Sequence, residues 1–255
     1  MSRYLRLLLV VAAAAACRSA APTPAPTAQP KPAAAPAAKA VAAPAAPRIP
    51  EAIRWARDSA EHRAIFLQVY REATQSVERA AGALPPGSWA VVLDADETVI
   101  DNSAYEVEQV ERHLPFDATS WHAWTARREA VALPGAAGFL SRVHALGGRI
   151  AIVTNRNESE CPDTEAVFRA QDLPFDTMLC KPDAGSGDKN PRFEAVARGT
   201  TPAGLPPLHI VAFLGDNILD FPGMSQAVVK EGDRAFAEFG VHFFILPNPM
   251  YGSWQ

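Results

Sequence analysis

The stretch that most narrows what this chain can become is Trp89-Ala-Val-Val-Leu-Asp-Ala-Asp-Glu-Thr-Val-Ile-Asp-Asn102. Ala90 to Leu93 is an apolar run without alternation, the pattern of a short strand buried on both faces, as in a parallel sheet. The run ends abruptly in acid. Asp94 stands where strand gives way to loop, at the carboxyl edge where open α/β sheets keep their sites. Asp96 and Thr98 follow at alternate positions. Two carboxylates this close repel unless a proton or cation lies between them. The spacing therefore asks for a hard, oxygen-seeking ion such as Mg²⁺. An Asp-x-Asp pair alone also fits an ordinary acidic turn, so the rest of the chain must decide.

Two further apolar runs end in the same way. Arg149-Ile-Ala-Ile-Val-Thr-Asn155 ends at Thr154. His209-Ile-Val-Ala-Phe-Leu-Gly-Asp-Asn-Ile-Leu-Asp-Phe221 ends in Gly215, Asp216, Asn217 and Asp220. Between them lies Lys189, in Gly187-Asp-Lys-Asn-Pro-Arg192. Strand, helix and strand in succession, with right-handed crossovers, give a parallel sheet with helices on both faces. Phe243-Phe-Ile-Leu246 reads as one more strand.

Acid, hydroxyl, lysine and acid, in that order on successive strand ends, resemble all four motifs of the haloacid dehalogenase superfamily of phosphotransferases. Three stretches sharpen the likeness: Asp94-Ala-Asp-Glu-Thr98 with Asp101-Asn-Ser-Ala-Tyr105, Gly215-Asp-Asn-Ile-Leu-Asp-Phe221, and the ending Leu246-Pro-Asn-Pro-Met-Tyr-Gly-Ser-Trp254. They resemble the class C acid phosphatases, and within that class the lipoprotein 5′-nucleotidases of bacterial outer membranes. The resemblance spans Trp55 to Gln255. It implies a Rossmann-like sheet carrying a small helical cap. Ala95 stands where relatives often carry a larger apolar residue, a difference that concerns core packing.

The chain divides into three parts. Residues 1–17 begin with Arg3 and Arg6, continue into a short apolar run too brief to span a bilayer, and end in Ala14-Ala-Ala-Cys17. Small residues before a cysteine resemble a bacterial lipoprotein processing site, with Cys17 as the lipid-bearing first residue of the mature chain. An ordinary secretory signal with an incidental cysteine is the other reading. Residues 18–50 are nearly all Ala, Pro, Lys and Thr. Their prolines stop helix growth and imply an extended tether, reaching roughly 100 Å at about 3.1 Å per residue. The expected location is the bacterial cell envelope, as an outer-membrane lipoprotein anchored through Cys17. Residues 51–255 are long enough for one domain with a real core. Formal net charge is −4, so no basic field calls for nucleic acid. An anionic substrate remains compatible, because a bound cation and local Lys or Arg can reverse the sign at one site.

Glu51 to Ala81 reads as a long amphipathic helix, broken near Asp58-Ser59. Its inward positions read as Ala60, Ala64, Leu67, Thr74, Val77 and Ala81. Trp55 and Tyr70 read as core or rim aromatics. More residues separate Asp101 from Thr154 than one crossover needs, so residues 103–133 form an insertion above the strand ends. Trp121 and Trp124, three apart, share one helix face. Either both build the cap's own core, or one stacks on a substrate base, as flat rings do on flat rings. The resemblance favours Trp121 for the base, with Tyr251 as a second aromatic wall. After Leu133-Pro-Gly-Ala136, Phe139, Leu140, Val143 and Leu146 give the next helix an inward face, and Gly147-Gly148 closes it. His113 and His122 read as surface or cap residues. Cys161 and Cys180 either pair, as cysteines in an oxidising envelope often do, or stay separate thiols. A bridge closing this loop would contribute about 3 kcal/mol. Neither cysteine has zinc-ligand spacing.

Hydrolysing a phosphate monoester demands rate enhancements of up to about 10²¹-fold. General acid catalysis supplies only about 10²–10⁴ of that, so positioning and charge stabilisation must supply the rest. With the resemblance, the residues divide the work. Asp94 is the nucleophile, forming an aspartyl-phosphate. Asp96 protonates the leaving alkoxide and then helps deprotonate water. Mg²⁺ is held by Asp94, by the main-chain carbonyl of Asp96 and by Asp216, with Asp220 directly or through water. Thr154 and Asn155 hydrogen-bond the phosphoryl oxygens, and Lys189 balances the developing charge. Lys181 is the rival to Lys189, but the family places its lysine two residues before Pro-Arg, as in Lys189-Asn-Pro191-Arg192. Asp101 caps the loop. Asp220 has a second reading, as the residue that simply holds Lys189 or a backbone turn.

The expected function is a Mg²⁺-dependent phosphomonoesterase for a small-molecule phosphomonoester, with nucleoside 5′-monophosphates as substrates. A broad acid phosphatase without nucleotide preference is the alternative. A non-catalytic tethered binding lipoprotein conflicts with the complete motif set. A dehalogenase would not need the metal constellation of Asp96 and Asp216.

Overall fold

The computed structural model describes residues 47–255. The signal segment, Cys17 and nearly all of the tether lie outside the described residues. Two helices lead, α1 (Glu51–Asp58) and α2 (Ala60–Ala81). They are separated at Ser59, whose hydroxyl accepts the His62 N–H and caps α2. The remaining helices are α3 (Ser103–Glu111), α4 (Ala118–Arg127), α5 (Ala136–Ala145), α6 (Cys161–Ala170) and α7 (Asn190–Arg198). The strands are β1 (Trp89–Leu93), β2 (Ile100–Asp101), β3 (Val131–Ala132), β4 (Arg149–Asn157), β5 (Thr177–Lys181), β6 (His209–Gly215) and β7 (Phe243–Ile245).

Five strands form one parallel sheet in the order β5-β4-β1-β6-β7. The chain leaves β1 toward β4 and β5, then returns to β6 on the other side. Strand order thus reverses at β1, and a crevice opens at the carboxyl ends there. The expected parallel sheet with helices on both faces is what the structure contains. One strand of this sheet escaped the sequence reading: Thr177-Met-Leu-Cys-Lys181 is short, and its mixed composition gives a weak apolar signal.

Successive side chains on a strand point to opposite faces, and the sheet accordingly divides two cores. Val91, Leu93, Ile150 and Ile152 pack with α2, α5 and α6 through Phe66, Tyr70, Val77, Phe139, Leu140 and Phe168. Ala90, Val92, Ala151, Val153 and Phe213 pack with α7 and the later loops through Phe193, Val196 and Phe221. Ala95 is fully buried in the first core.

The inward face of α2 differs from the expected one. The buried stripe is His62, Phe66, Tyr70, Ala73 and Val77, whereas Ala60, Ala64 and Leu67 are exposed. Small alanines carry little burial free energy, so the large aromatic rings decide which side turns in. Tyr70 also donates its hydroxyl to the Thr98 carbonyl at 2.7 Å, tying α2 to the acidic loop.

The insertion is bracketed by β2 and β3, which pair antiparallel through Ile100–Ala132 and Asp101–Val131. Between them lie α3 and α4. Asp117 caps α4 by accepting the Thr119 and Ser120 N–H groups. Cys161 and Cys180 form a disulfide with Cα atoms 6.1 Å apart, joining the start of α6 to the end of β5.

The end of α5 is fastened by Asp176. Its carboxylate accepts from Arg149 Nη1 at 2.8 Å and the Ile150 N–H at 2.8 Å, and lies 2.7 Å from His144 Nε2. Burial pushes this carboxyl up, but its partners outweigh that and hold it below the ordinary value. A depressed folded-state pKa contributes stability above the unfolded pKa of about 3.9, lost as pH falls through the lower folded value. Asp176→Asn should therefore lower stability at pH 6 by about 1–3 kcal/mol. Urea denaturation at a series of pH values should show the deficit shrinking only below the unfolded pKa.

Candidate active site

The acidic loop leaves β1 at its carboxyl end. The Asp94 N–H still bonds to the Leu214 carbonyl at 3.0 Å, as though β1 continued. The chain then turns sharply, with the Ala95 carbonyl accepting both the Val99 and Ile100 N–H groups at 2.9 Å. Glu97 takes φ +50°, the left-handed region that side-chain-bearing residues seldom adopt. Its carboxylate holds the turn by accepting the Asn102 N–H at 2.7 Å. Burial pushes that carboxyl well above its ordinary value, with Asp96 and Asp216 adding repulsion. Asp101 accepts the Ser103 N–H at 2.7 Å, the capping role expected of it.

The loop opens into a cleft of about 600 Å³ beneath the inserted helices. Asp94, Asp96, Asn155, Lys189, Asp216 and Asp220 all line it. Among the described residues, one carboxylate oxygen from each of Asp94, Asp216 and Asp220 lies within 4.8 Å of the others. Lys189 reaches them from the start of α7. Its Nζ lies 2.5 Å from Asp94 Oδ1 and 2.6 Å from Asp220 Oδ1, and its side chain is only 4% exposed. Lys181 is half-buried at the end of β5.

Burial drives the Asp94 carboxyl up to about 7; Lys189 pulls it down, and Asp220 and Asp96 push it back up. Burial also raises Asp216 well above the ordinary value, helped by Asp220 and Asp94. Burial works against the Lys189 ammonium, but Asp220 and Asp94 outweigh it and hold it firmly charged. One ammonium against three crowded carboxylates leaves a deficit of positive charge, and the donor set is hard oxygen. A divalent cation fits both conditions. Asp216 is oriented by Thr98 Oγ1 at 3.3 Å and Asn248 Nδ2 at 2.9 Å. Asp220 accepts Lys189 on one oxygen and the Asn217 N–H, at 2.9 Å, on the other. Both halves of its second expected reading thus hold in the geometry.

Thr154 is brought near but not into the cleft. It is fully buried; its hydroxyl accepts the Arg156 N–H at 3.1 Å, and its carbonyl accepts from Arg192. The cleft wall at this point is Asn155, whose Oδ1 accepts Arg192 Nη2 at 2.6 Å. The two tryptophans separate. Trp121 lines the cleft, edge-on to Tyr105. Trp124 is 2% exposed and donates Nε1 to Asn102 Oδ1 at 3.0 Å. Phe116, Leu219, Met250 and Tyr251 complete an apolar wall, and the Tyr251 hydroxyl is buried with no hydrogen-bond partner among the described residues. Glu106 also faces the cleft, its carboxyl raised by burial. His113 and His122 are exposed, as expected.

Sequence reading gave no role to Arg156, Asn102, Arg192 or Asn248. Asn102 and Asn248 lay inside motifs that pointed to the site, and that membership was the available signal. Arg156 carried none, since a charged residue at a strand end ordinarily points to water.

The family model for the HAD superfamily, subfamily IIIB (acid phosphatase), matches residues 11–254. The structure resembles that of the class C acid phosphatase from Bacillus anthracis, with a TM-score of 0.70 and 30% identity over 80% of this chain and 84% of that one. The class C acid phosphatase from the same organism with tungstate bound gives 0.68 and 29% over the same shares. The chain belongs to the HAD subfamily IIIB acid phosphatases. It is a phosphoric monoester hydrolase, and its substrate is a small-molecule phosphoester.

Removing one partner of a buried ion pair strands the other charge, at a cost of roughly 3–5 kcal/mol. Lys189→Ala should lose stability on that scale in chemical denaturation, because it leaves the buried Asp94 and Asp220 carboxylates without their shared ammonium. Lys230→Ala, at an exposed position, should cost within about 0.5 kcal/mol, as surface changes do.

Proposed function

We propose that the chain is a Mg²⁺-dependent phosphomonoesterase that acts through an aspartyl-phosphate on Asp94 and prefers nucleoside 5′-monophosphates. The observation that carries the first half is the convergence of Asp94, Asp216, Asp220 and Lys189 on one buried point. Asp94 Oδ1 accepts Lys189, which leaves Oδ2 free to attack phosphorus. Lys189 then stands beside the phosphoryl oxygens as charge builds on them. Asn155 and the main-chain groups after Asp94 supply further hydrogen bonds, with Thr154 buttressing from behind. Asp96 hands a proton to the leaving oxygen, then takes one from the water that cleaves the acyl phosphate. The residues that would hold Mg²⁺ are Asp94, Asp216 and the Asp96 carbonyl, with Asp220 directly or through water. The ion would neutralise the carboxylate and phosphate that otherwise repel. Tungstate in a class C relative is a tetrahedral oxyanion, which supports a phosphate-shaped pocket here.

Nucleotide preference is supported by the apolar wall. Trp121, Phe116 and Tyr251 line one cleft with the acidic cluster, so a base and a phosphate can be held together. We place the enzyme in the bacterial envelope, anchored to the outer membrane by a lipid on Cys17. That reading rests on the leader pattern alone.

Three measurements test this. Asp94→Asn should reduce kcat by at least about 10³-fold, and acid quench should trap an acyl phosphate on the parent enzyme but not on the variant. EDTA should abolish turnover of p-nitrophenyl phosphate and Mg²⁺ should restore it; full activity in EDTA would overturn the metal reading. On a panel of AMP, NMN, glucose 6-phosphate and phosphotyrosine, Trp121→Ala should lose about 10-fold or more in kcat/KM for the nucleotides only, as expected for a lost stacking contact worth about 1–3 kcal/mol. An unchanged nucleotide-to-sugar ratio would favour a broad acid phosphatase.

A further inference from the structure

We propose that Arg156 is the positioning residue for the leaving-group acid, fixing which oxygen of Asp96 is left to face the leaving group. The inference rests on the reading of Asp96 as that acid. Arg156 is 2% exposed, in the wall of the cleft. Its Nε lies 3.0 Å from Asp96 Oδ1 and 3.2 Å from Oδ2, and its Nη2 lies 2.8 Å from Oδ1. Asn102 Nδ2 donates to the same Oδ1 at 2.8 Å. Three N–H groups thus converge on Oδ1, while Oδ2 receives one contact, at 3.2 Å. Oδ1 is thereby committed to its fork, and Oδ2 is the oxygen left to exchange a proton with the leaving group.

The fork is itself held. Arg156 Nη2 also donates to Asn102 Oδ1 at 2.9 Å, which accepts Trp124 Nε1 as well. Arg156 Nη1 donates to Thr164 Oγ1 at 3.1 Å, and that hydroxyl donates onward to the Glu160 carbonyl. The Trp121 ring lies 5.4 Å from the guanidinium carbon. Planar, forked donation is what arginine supplies and lysine does not. Trp124 belongs to the cap, so the same amide that steadies Asp96 is steadied by the insertion.

In the step this serves, a bond forms between Asp94 Oδ2 and phosphorus as the bond from phosphorus to the leaving oxygen breaks. The Asp96 Oδ2 proton passes to that oxygen, which departs as an alcohol. Asp96 is left as a carboxylate with Oδ1 still in its fork. In the second step water attacks phosphorus, Oδ2 takes up its proton, and free Asp94 and phosphate result.

Leaving-group dependence tests the proposal, because a merely structural role would not discriminate between substrates. A p-nitrophenolate departs without a proton; the alkoxide of AMP does not. Arg156→Gln should lose about 10²-fold in kcat/KM on AMP, within the range of a general acid, and less than about 10-fold on p-nitrophenyl phosphate. Arg156→Lys and Asn102→Ala should show the same selectivity at smaller size, and they carry the comparison if Arg156→Gln does not fold. Added guanidinium should recover part of the AMP activity of Arg156→Ala. Asp96→Asn sets the scale. Equal losses on both substrates for the Arg156 and Asn102 variants, with Asp96→Asn still selective, would overturn the positioning role alone. An unselective Asp96→Asn would overturn the reading of Asp96 beneath it.

Discussion

An ammonium group shut away from water between two carboxylates is the interaction on which the site depends. Lys189 touches Asp94 and Asp220 while almost wholly buried. None of the three charges is tolerable there without the others, because isolated ions are strongly disfavoured in a protein interior. The group joins three separate chain segments: the end of β1, the start of α7 and the turn after β6. Gly215 makes the last of these possible, since a Cβ there would meet the Asp220 Cβ at 2.3 Å. Backbone, lysine and acid are thereby held against one another at the reversal point of the sheet.

A second buried cation, Arg156, organises the other half of the cleft. It gathers Asp96, Asn102 and Thr164, and through Asn102 it meets Trp124 of the inserted helices. Glu160 continues the connection, accepting from Thr125 Oγ1 at 3.1 Å and from the Asn157 N–H at 2.8 Å. The cap is therefore wired to the core by satisfied polar contacts as well as by packing. Such networks hold one geometry firmly, because a broken member is left unpaired where water cannot reach it.

Much of this was legible before the fold was known. β1, β4 and β6 announced themselves as unbroken apolar runs, and each ended in the residue types that chemistry needs. What escaped depends on three-dimensional return. Arg156 looks like any charged strand-end residue until the chain folds it back over Asp96. The helical spacing of Trp121 and Trp124 could not say which ring faces the cleft, since that depends on how α4 is rotated. The stripe on α2 was misjudged because alanines were weighed equally with aromatic rings. Cys161 and Cys180 could be paired only once the approach of α6 to β5 was known. β4 ran on past Thr154 to Asn157, and the Thr154 hydroxyl turned inward to accept a neighbouring amide.

The tail of the chain has an implication for synthesis. Asn248 steadies Asp216, and Met250, Tyr251 and Gln255 wall the cleft that Asp94 opens. A ribosome delivers Asp94 long before these residues, so a nascent chain carries its reactive carboxylate without the wall that completes its surroundings. Competence arrives only once residues 248–255 have been added and folded against the cleft.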